Sequence, residues 1–239
     1  MSASPKLCLD VLRHYSSVEG TPLAPLLAQP SPDLVQPLSG GLINQTFLVQ
    51  AGTKKAVLQR VNPLFGVAVH HDIAALTQHL HAQGMETPLL YQTSDGKLAV
   101  DLGPDGVWRL LTFVPGQTFH VVVPEVARAA GELVSRFHFH LLGLHHQFHF
   151  SRPLAHDLQR HLHNLREALA KAPSVTGVPP DFSALATEIL ARAEALPTEV
   201  AGPRRLCHGD LKISNLLFSR DGDGPWRGTR RRLHADTDP

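Results

Sequence analysis

The stretch that decides the fold of this chain is His208-Gly209-Asp210-Leu211-Lys212-Ile213-Ser214-Asn215. It places a carboxylate, a cation and a carboxamide in the spacing His-x-Asp-x-x-x-x-Asn. A carboxylate at Asp210 could accept a proton from an attacking hydroxyl, and the side-chain carbonyl of Asn215 could reach a divalent cation. In the competing interpretation the loop is merely polar, and the two side chains only cap turns.

The same spacing occurs in the catalytic loop of kinases, in which the Asp meets the acceptor hydroxyl and the Asn holds Mg²⁺. We therefore predict that Asp210 acts as the general base and that Asn215 is a metal ligand. Lys212 would place a positive charge beside the transferring phosphoryl group, where negative charge concentrates in the transition state. The loop thus predicts ATP and Mg²⁺ as cofactors.

A glycine pair lies upstream, in the segment Leu38-Ser39-Gly40-Gly41-Leu42-Ile43-Asn44-Gln45-Thr46. Gly40 and Gly41 have no side chains, so their backbone N–H groups could approach the oxygens of a phosphate. The predicted cofactor-binding set also includes Asn44 and Thr46. Two glycines before a strand can equally form only a turn.

Two charged residues follow the glycine segment and could complete the nucleotide site. Arg60 occupies the position at which kinase folds place the cation that pairs with the nucleotide phosphates, and Arg suits a bidentate phosphate contact. Asp72 is the only acidic residue of the helix predicted over 68–83, and it could hold Arg60. The alternatives are a solvated Arg60 and an Asp72 that only interacts with the helix dipole.

Composition narrows the class of protein. The 239 residues are 43% hydrophobic and 18% charged, with a formal net charge of +1, so we predict no nucleic-acid or membrane partner. The two cysteines, Cys8 and Cys207, have no paired spacing, which fits a reducing compartment. Charges interrupt every apolar run near the N-terminus, so we expect a cytoplasmic protein without a signal peptide. The oligomeric state is left open.

The hydrophobic patterns predict a sheet followed by helices. After a helix over 7–15 and a Pro-rich loop, strands are predicted at 46–50, 56–61, 89–93, 97–100 and 108–113, with one helix over 68–83. Helices are then predicted at about 124–144, 155–171 and 182–196.

These elements predict an α+β, bilobal fold with a ligand cleft between the lobes. Its parts are an N-terminal extension (1–33), a nucleotide-binding N-lobe with an antiparallel sheet (34–113), a hinge (114–118) and a mostly helical C-lobe (119–239).

Two segments besides the loop carry a family resemblance: Gly41-Leu42-Ile43-Asn44-Gln45-Thr46-Phe47 and Val57-Leu58-Gln59-Arg60-Val61-Asn62. The chain resembles the aminoglycoside phosphotransferase and choline kinase superfamily, and most closely its N-acetylhexosamine 1-kinase branch. The resemblance covers about 34–218. It implies a protein-kinase-like fold and transfer of the ATP γ-phosphate, with Mg²⁺, to a hydroxyl of a small polar molecule such as an amino sugar. An aminoglycoside or choline-type kinase is the alternative.

The resemblance also suggests a substrate contact at His156-Asp157, although this pair could instead cap a helix N-terminus. Family members continue, after the catalytic Asn, into a strand pair and an apolar strand that ends in a metal-binding Asp. Here 216–218 predicts the first strand, but no apolar strand follows, and Arg230-Arg231-Arg232 is unsuited to one. We assign Asp236 as the second metal ligand of a degraded segment, with Asp238 as the alternative. An incomplete C-lobe and a catalytically inactive protein that only binds nucleotide are therefore expectations to be tested.

Residues 137–150 contain five histidines. His145 and His149 are four apart and would share one face if the helix continued. The run itself contains no carboxylate, and Gly143 suits a helix end. We therefore predict partly exposed imidazoles rather than a metal site.

Overall fold

A computed structural model of the chain describes residues 3–15, 31–38, 43–151, 157–196, 206–220 and 222–228. The chain divides into two compact units, Met1–Phe150 with Arg205–Pro239, and Ser151–Arg204. The predicted boundaries at 113 and 118 both lie inside the first unit. The sheet and the predicted catalytic loop therefore belong to the same unit.

A five-stranded antiparallel sheet forms the core of the first unit, in the order β1-β2-β3-β5-β4. Its strands are β1 (Val35–Leu38), β2 (Gln45–Ala51), β3 (Lys54–Arg60), β4 (Val100–Asp101) and β5 (Val107–Thr112). The predicted hairpin is confirmed by the pairing of β2 with β3, from Gln45 opposite Arg60 to Ala51 opposite Lys54.

Two predicted strands are wrong. Residues 89–93 form no strand, although Leu90 bridges to Leu111 of β5. The run 97–100 contributes only the first residue of β4, because the Thr93 hydroxyl accepts from the Lys97 N–H at 2.8 Å and closes a tight turn. The fifth strand is instead β1, which contains Pro37. An edge strand tolerates Pro, since one side of its backbone needs no partner.

The predicted N-terminal extension supplies a core helix. Helix α1 (Pro5–Arg13) begins at Ser4, whose hydroxyl accepts from the Leu7 N–H, and it packs on one face of the sheet. Because side chains alternate across a strand, every second residue of β2, β3 and β5 points to this face. The residues of the shared core include Cys8, Val11 and Leu12 of α1 with Phe47, Val49, Ala56, Leu58, Trp108 and Leu110 of the strands.

Two further helices of the first unit lie near their predicted positions. Helix α2 (Val69–Ala82) confirms the prediction for 68–83. Helix α3 (Pro124–His140) ends earlier than predicted, and Gly143 follows with a φ of 78°. A backbone in this left-handed region favours Gly and does not continue an α-helix. Leu80 of α2 and Leu133 of α3 belong to one apolar cluster, against which Leu216 packs.

The second unit contains α4 (Leu158–Lys171) and α5 (Phe182–Glu194), which pack on each other. Both confirm predicted helices. None of the helices in the described parts of the chain has both the length and the apolar content needed to cross a bilayer.

A short hairpin follows the predicted catalytic loop. Strand β6 (Phe218–Ser219) pairs with β7 (Arg227–Gly228), so a strand does follow the predicted turn, although not an apolar one. The rings of Phe119, Phe218 and Trp226 pack edge to face above Val126 and Ala129 of α3.

Candidate active site

The structure brings Asp210, Lys212 and Asn215 together in one loop. The Asn215 Nδ2 amide donates to the Asp210 backbone carbonyl at 2.9 Å and to its Oδ2 at 3.0 Å. Lys212 Nζ lies 3.8 Å from the same Oδ2. The carboxylate, the cation and the carboxamide therefore converge on one point, as the spacing of the motif requires.

The backbone of the loop explains this convergence. Gly209 has a φ of 77°, in the left-handed region that only Gly adopts without strain, and it turns the chain so that the Asp210 N–H donates to His208 Nδ1 at 3.3 Å. A 3-10 turn at Ile213–Asn215 then brings Asn215 back to Asp210. His208 is held by an edge-to-face contact with the Phe137 ring.

The end of the loop is anchored to the segment predicted as the hinge. Gln117 and Phe218 exchange two backbone hydrogen bonds, each of 2.9 Å, and Phe218 is fully buried. The loop is thus fixed at its base. The side chains with predicted catalytic roles remain accessible, since 60% of the Asp210 side chain and 50% of the Lys212 side chain are exposed. An acceptor hydroxyl can approach the carboxylate from solvent.

Asn215 fits a role in binding Mg²⁺. Among the residues that the structure describes, the Asn215 side chain forms two hydrogen bonds, both through Nδ2, so its carboxamide oxygen is left for a hard cation, which prefers oxygen ligands. Asp236, the predicted second ligand, lies outside the described residues.

A cavity of about 240 Å³ opens beside the loop. Its lining includes His208, Leu211 and Asn215 from the loop, with Thr87, Pro88 and Val114 from the segments that flank β5. The predicted metal ligand therefore lines a half-open cleft, to which Asp210 itself does not contribute.

The residues predicted around the glycine pair have structural partners. The Asn44 side-chain oxygen accepts from the Asn62 N–H at 2.9 Å, and Asn62 Nδ2 donates to the Ile43 carbonyl at 3.3 Å. These bonds fix the start of β2 to the end of β3. Gly40 and Gly41 lie outside the described residues.

Arg60 lies on the face of the sheet that carries α1. It pairs across the strands with Trp108, which belongs to the core beneath α1, and cross-strand partners share a face. Its guanidinium reaches the Pro104 carbonyl at 3.5 Å. In the described residues no ion pair joins it to Asp72, so the predicted Arg60–Asp72 contact is wrong.

Asp72 is buried and engaged elsewhere. Its carboxylate accepts from His146 Nε2 at 2.8 Å, from His149 and from two backbone N–H groups. It therefore ties α2 to the segment after α3. Of the predicted substrate pair, His156 lies outside the described residues, and the Asp157 side chain caps α4 by accepting from the Arg160 N–H at 2.9 Å.

Sequence reasoning missed Arg109. This residue is the neighbour of Trp108 in β5, so its side chain points to the face opposite α1. Its Nε donates to Gln59 Oε1 at 2.9 Å, and Gln59 Nε2 donates to the Thr46 hydroxyl at 3.1 Å. Neither terminal guanidinium nitrogen of Arg109 has a hydrogen-bond partner among the described residues. The signal was present in the strand pattern, where Arg109 interrupts a run of buried residues.

Arg109 lies on the side of the sheet that faces α2. Burial lowers the pKa of Arg109 to about 10. Burial also lowers the pKa of His70 in α2, the Val67 carbonyl opposes this shift, and the nearby charge of Arg109 adds to it. Leu80, near the other end of the same helix, packs in the cluster that includes Leu216, the residue after Asn215.

Solved structures of antibiotic kinases share this fold. Amicoumacin kinase hAmiN in complex with AMP-PNP, Ca²⁺ and Ami is 14% identical, with a TM-score of 0.55 over 83% of this chain and 58% of that chain. A thermostable mutant of aminoglycoside phosphotransferase APH(4)-Ia, in a ternary complex with AMP-PNP and hygromycin B, is 16% identical, with a TM-score of 0.51 over 82% and 65%. The GDP and kanamycin complex of APH(2")-IIia is 18% identical, with a TM-score of 0.55 over 85% and 69%.

This chain spans less than two thirds of the length of the first two structures. At these identities the similarity concerns the fold, and the prediction of an α+β, protein-kinase-like fold is confirmed. The profile of the phosphotransferase enzyme family (APH) matches residues 34–228, which include the sheet, the loop and the hairpin after it. The chain therefore belongs to the phosphotransferase enzyme family.

Proposed function

We propose that this chain transfers the γ-phosphate of ATP to a hydroxyl of a small polar molecule, with an amino sugar as the acceptor. The observation that carries the proposal is the convergence of Lys212 and Asn215 on the exposed carboxylate of Asp210. This is the geometry that phosphoryl transfer to an alcohol requires: a base for the hydroxyl proton, and positive charge for the phosphoryl group.

In the proposed reaction the acceptor oxygen forms a bond to the γ-phosphorus, and the bond from that phosphorus to the bridging oxygen of ADP breaks. Asp210 accepts the proton of the attacking hydroxyl. The Lys212 ammonium, 3.8 Å from Asp210 Oδ2, stabilises the charge of the transferring group. Mg²⁺ held by Asn215 would neutralise phosphate charge.

Arg109 takes the role that the sequence suggested for Arg60. Its guanidinium is oriented by Gln59, lies on the face of the sheet opposite α1, and has terminal nitrogens left for an anion. A guanidinium offers two parallel N–H donors to a phosphate, so this geometry supports a contact to the nucleotide. Gly40 and Gly41 would add backbone N–H groups to the same phosphates.

The choice of an amino sugar rests on the resemblance of 41–47 and 57–62 to N-acetylhexosamine 1-kinases. The solved relatives whose complexes contain kanamycin and hygromycin B support an acceptor with several hydroxyl and amino groups. An aminoglycoside is therefore the second candidate acceptor.

Release of ADP tests the proposal. Purified protein is incubated with ATP, Mg²⁺ and a panel of N-acetylhexosamines, aminoglycosides and choline, and the product is identified by mass spectrometry. We expect turnover with an amino sugar and a loss of about 10²–10⁴-fold in kcat for Asp210→Asn, because general-base catalysis contributes a factor of this size. The matched control is Asp181→Asn, an exposed carboxylate before α5, which should leave kcat unchanged.

Other outcomes separate the alternatives. Stabilisation by ATP and Mg²⁺ without ADP from any acceptor would identify a nucleotide-binding protein without turnover and contradict the proposal. Turnover with aminoglycosides alone would retain the reaction and overturn the amino sugar as acceptor.

A further inference from the structure

A cluster of two imidazoles and one carboxylate forms from residues outside the loop, although Asp72 lines a cavity of about 410 Å³ together with His208. Asp72 Oδ1 is 2.8 Å from His146 Nε2 and 3.2 Å from His149 Nδ1. The Asp comes from the first turn of α2, and the two His come from the segment after α3. Because these residues are more than 70 positions apart, only the packing of the chain forms the cluster.

The carboxylate of this cluster is held in place as an anion. Asp72 is 4% exposed, its Oδ1 accepts from the His149 N–H at 2.8 Å, and its Oδ2 accepts from the Phe150 N–H at 2.9 Å. Burial alone would raise the pKa of Asp72, but the hydrogen bonds from the His149 backbone, the His146 ring and the Phe150 backbone hold it at about 2. The carboxylate is therefore ionised and oriented before any metal ion binds.

The donor atoms lie close enough together to share one metal ion. The three ligand atoms lie within 4.8 Å of one another. Zinc bonds of about 2.0–2.1 Å in a tetrahedral site place neighbouring donors about 3.3 Å apart. The two contacts to Asp72, of 2.8 and 3.2 Å, therefore need to open by about half an ångström at most, and the two ring nitrogens need to adjust to the same spacing.

We propose that Asp72, His146 and His149 bind one divalent metal ion of the zinc class, with water in the fourth position. Each imidazole binds through the nitrogen that now contacts Asp72 and keeps its proton on the other ring nitrogen. The N–H groups of His149 and Phe150 remain on the carboxylate and orient it, as groups around a metal site commonly do. Two imidazoles and one carboxylate are ligands that zinc accepts readily.

The surroundings allow entry of an ion. The side chain of His146 is 11% exposed, whereas that of His149 is 55% exposed, so the open position faces solvent on the His149 side. The exposed His71 ring lies 5.3 Å from that of His149 and adds a further imidazole beside the opening. The bound ion would fasten the segment after α3 to α2. This proposal does not depend on the phosphotransferase activity.

Direct metal binding tests the proposal. The full chain, without a histidine tag and stripped of metal with a chelator, is titrated with Co²⁺, whose visible absorption reports a four-coordinate site, and then with Zn²⁺ as competitor. We expect one Co²⁺ per chain, displaced by Zn²⁺, and a Tm that rises with the concentration of Zn²⁺.

Variants locate the site. His149→Ala should weaken binding more than about tenfold, since even partners that only orient ligands contribute 10- to 100-fold. The control His145→Ala removes an exposed imidazole four residues earlier, outside the cluster, and should bind as wild type. His149 is exposed, so its loss should leave the fold intact, which circular dichroism checks. Equal affinities for the two variants, or no stoichiometric Co²⁺ site in the wild-type chain, would overturn the proposal.

Discussion

At the residue scale, the two arginines of the central strands differ because of strand register. Arg60 is directly opposite Trp108 across the β3–β5 pair, so it shares the α1 face with that ring. Arg109 follows Trp108 in the chain and therefore points the other way. One residue of register therefore places the two guanidinium groups on opposite faces of the sheet.

We predict that Arg109→Met weakens binding of ATP by about tenfold or more, because a hydrogen bond to a charged group contributes about 1.5–3 kcal/mol. Isothermal titration calorimetry with AMP-PNP and Mg²⁺ measures the loss. Arg109→Lys should lose less, since the charge remains.

Arg60→Met is the matched control for this experiment and should change the affinity little, because its guanidinium is on the opposite face. A larger loss for Arg60→Met than for Arg109→Met would place the nucleotide on the α1 face and contradict the assignment.

At the element scale, the hairpin that follows the predicted catalytic loop packs on helix α3. Gly228 of β7 packs against Leu133 so closely that an added Cβ would lie 2.7 Å from the Leu133 Cβ. Gly131 lies two residues before Leu133 on α3, is exposed, and has no neighbour within 4 Å of the corresponding position. The same substitution should therefore have opposite effects at the two sites.

We predict that Gly228→Ala lowers the free energy of unfolding by about 1–3 kcal/mol, because overpacking forces side chains and backbone to shift. Urea denaturation measures the change. An unchanged midpoint would show that β7 does not pack on α3 in solution.

Gly131→Ala should instead raise the free energy of unfolding by about 0.5–1 kcal/mol, since Ala loses less backbone entropy than Gly in a helix interior. The same denaturation experiment measures it. A destabilised variant would mean that the Gly131 position is covered by a part of the chain that the structure does not describe.

At the scale of the whole molecule, a helix that is distant in sequence completes the core of the sheet. Leu12 and Val11 of α1 are fully buried against residues of β2, β3 and β5. Residues 3–15, within the segment predicted as an extension, therefore belong to the same packed layer as the strands of the sheet.

We predict that Leu12→Ala destabilises the protein by about 2–5 kcal/mol, the usual effect of a cavity in a well-packed core. Leu185→Ala, at a Leu of α5 that is 54% exposed, should change stability by less than about 0.5 kcal/mol. Thermal unfolding by calorimetry compares the two variants. Similar melting temperatures would show that α1 is dispensable for the sheet.

Much of the fold and the centre of the candidate site could be predicted from sequence because their signals are local. The loop from His208 to Asn215 forms its contacts within a few residues, so spacing alone predicted that Asp210, Lys212 and Asn215 converge. The β2–β3 hairpin and helix α2 likewise follow from short-range periodicity. The prediction of a strand at 89–93 was wrong because this segment forms only an isolated bridge, between Leu90 and Leu111, and not a ladder of hydrogen bonds.

The sequence by itself therefore determined the kinase-like fold and the local contacts of the loop. Only the tertiary structure decided which face of the sheet each arginine occupies and what Asp72 contacts. The first depends on the pairing of β3 with β5, and the second on the packing of α2 against a segment more than 70 residues away. Register and packing are set by burial over the whole chain, which a motif of eight residues does not encode.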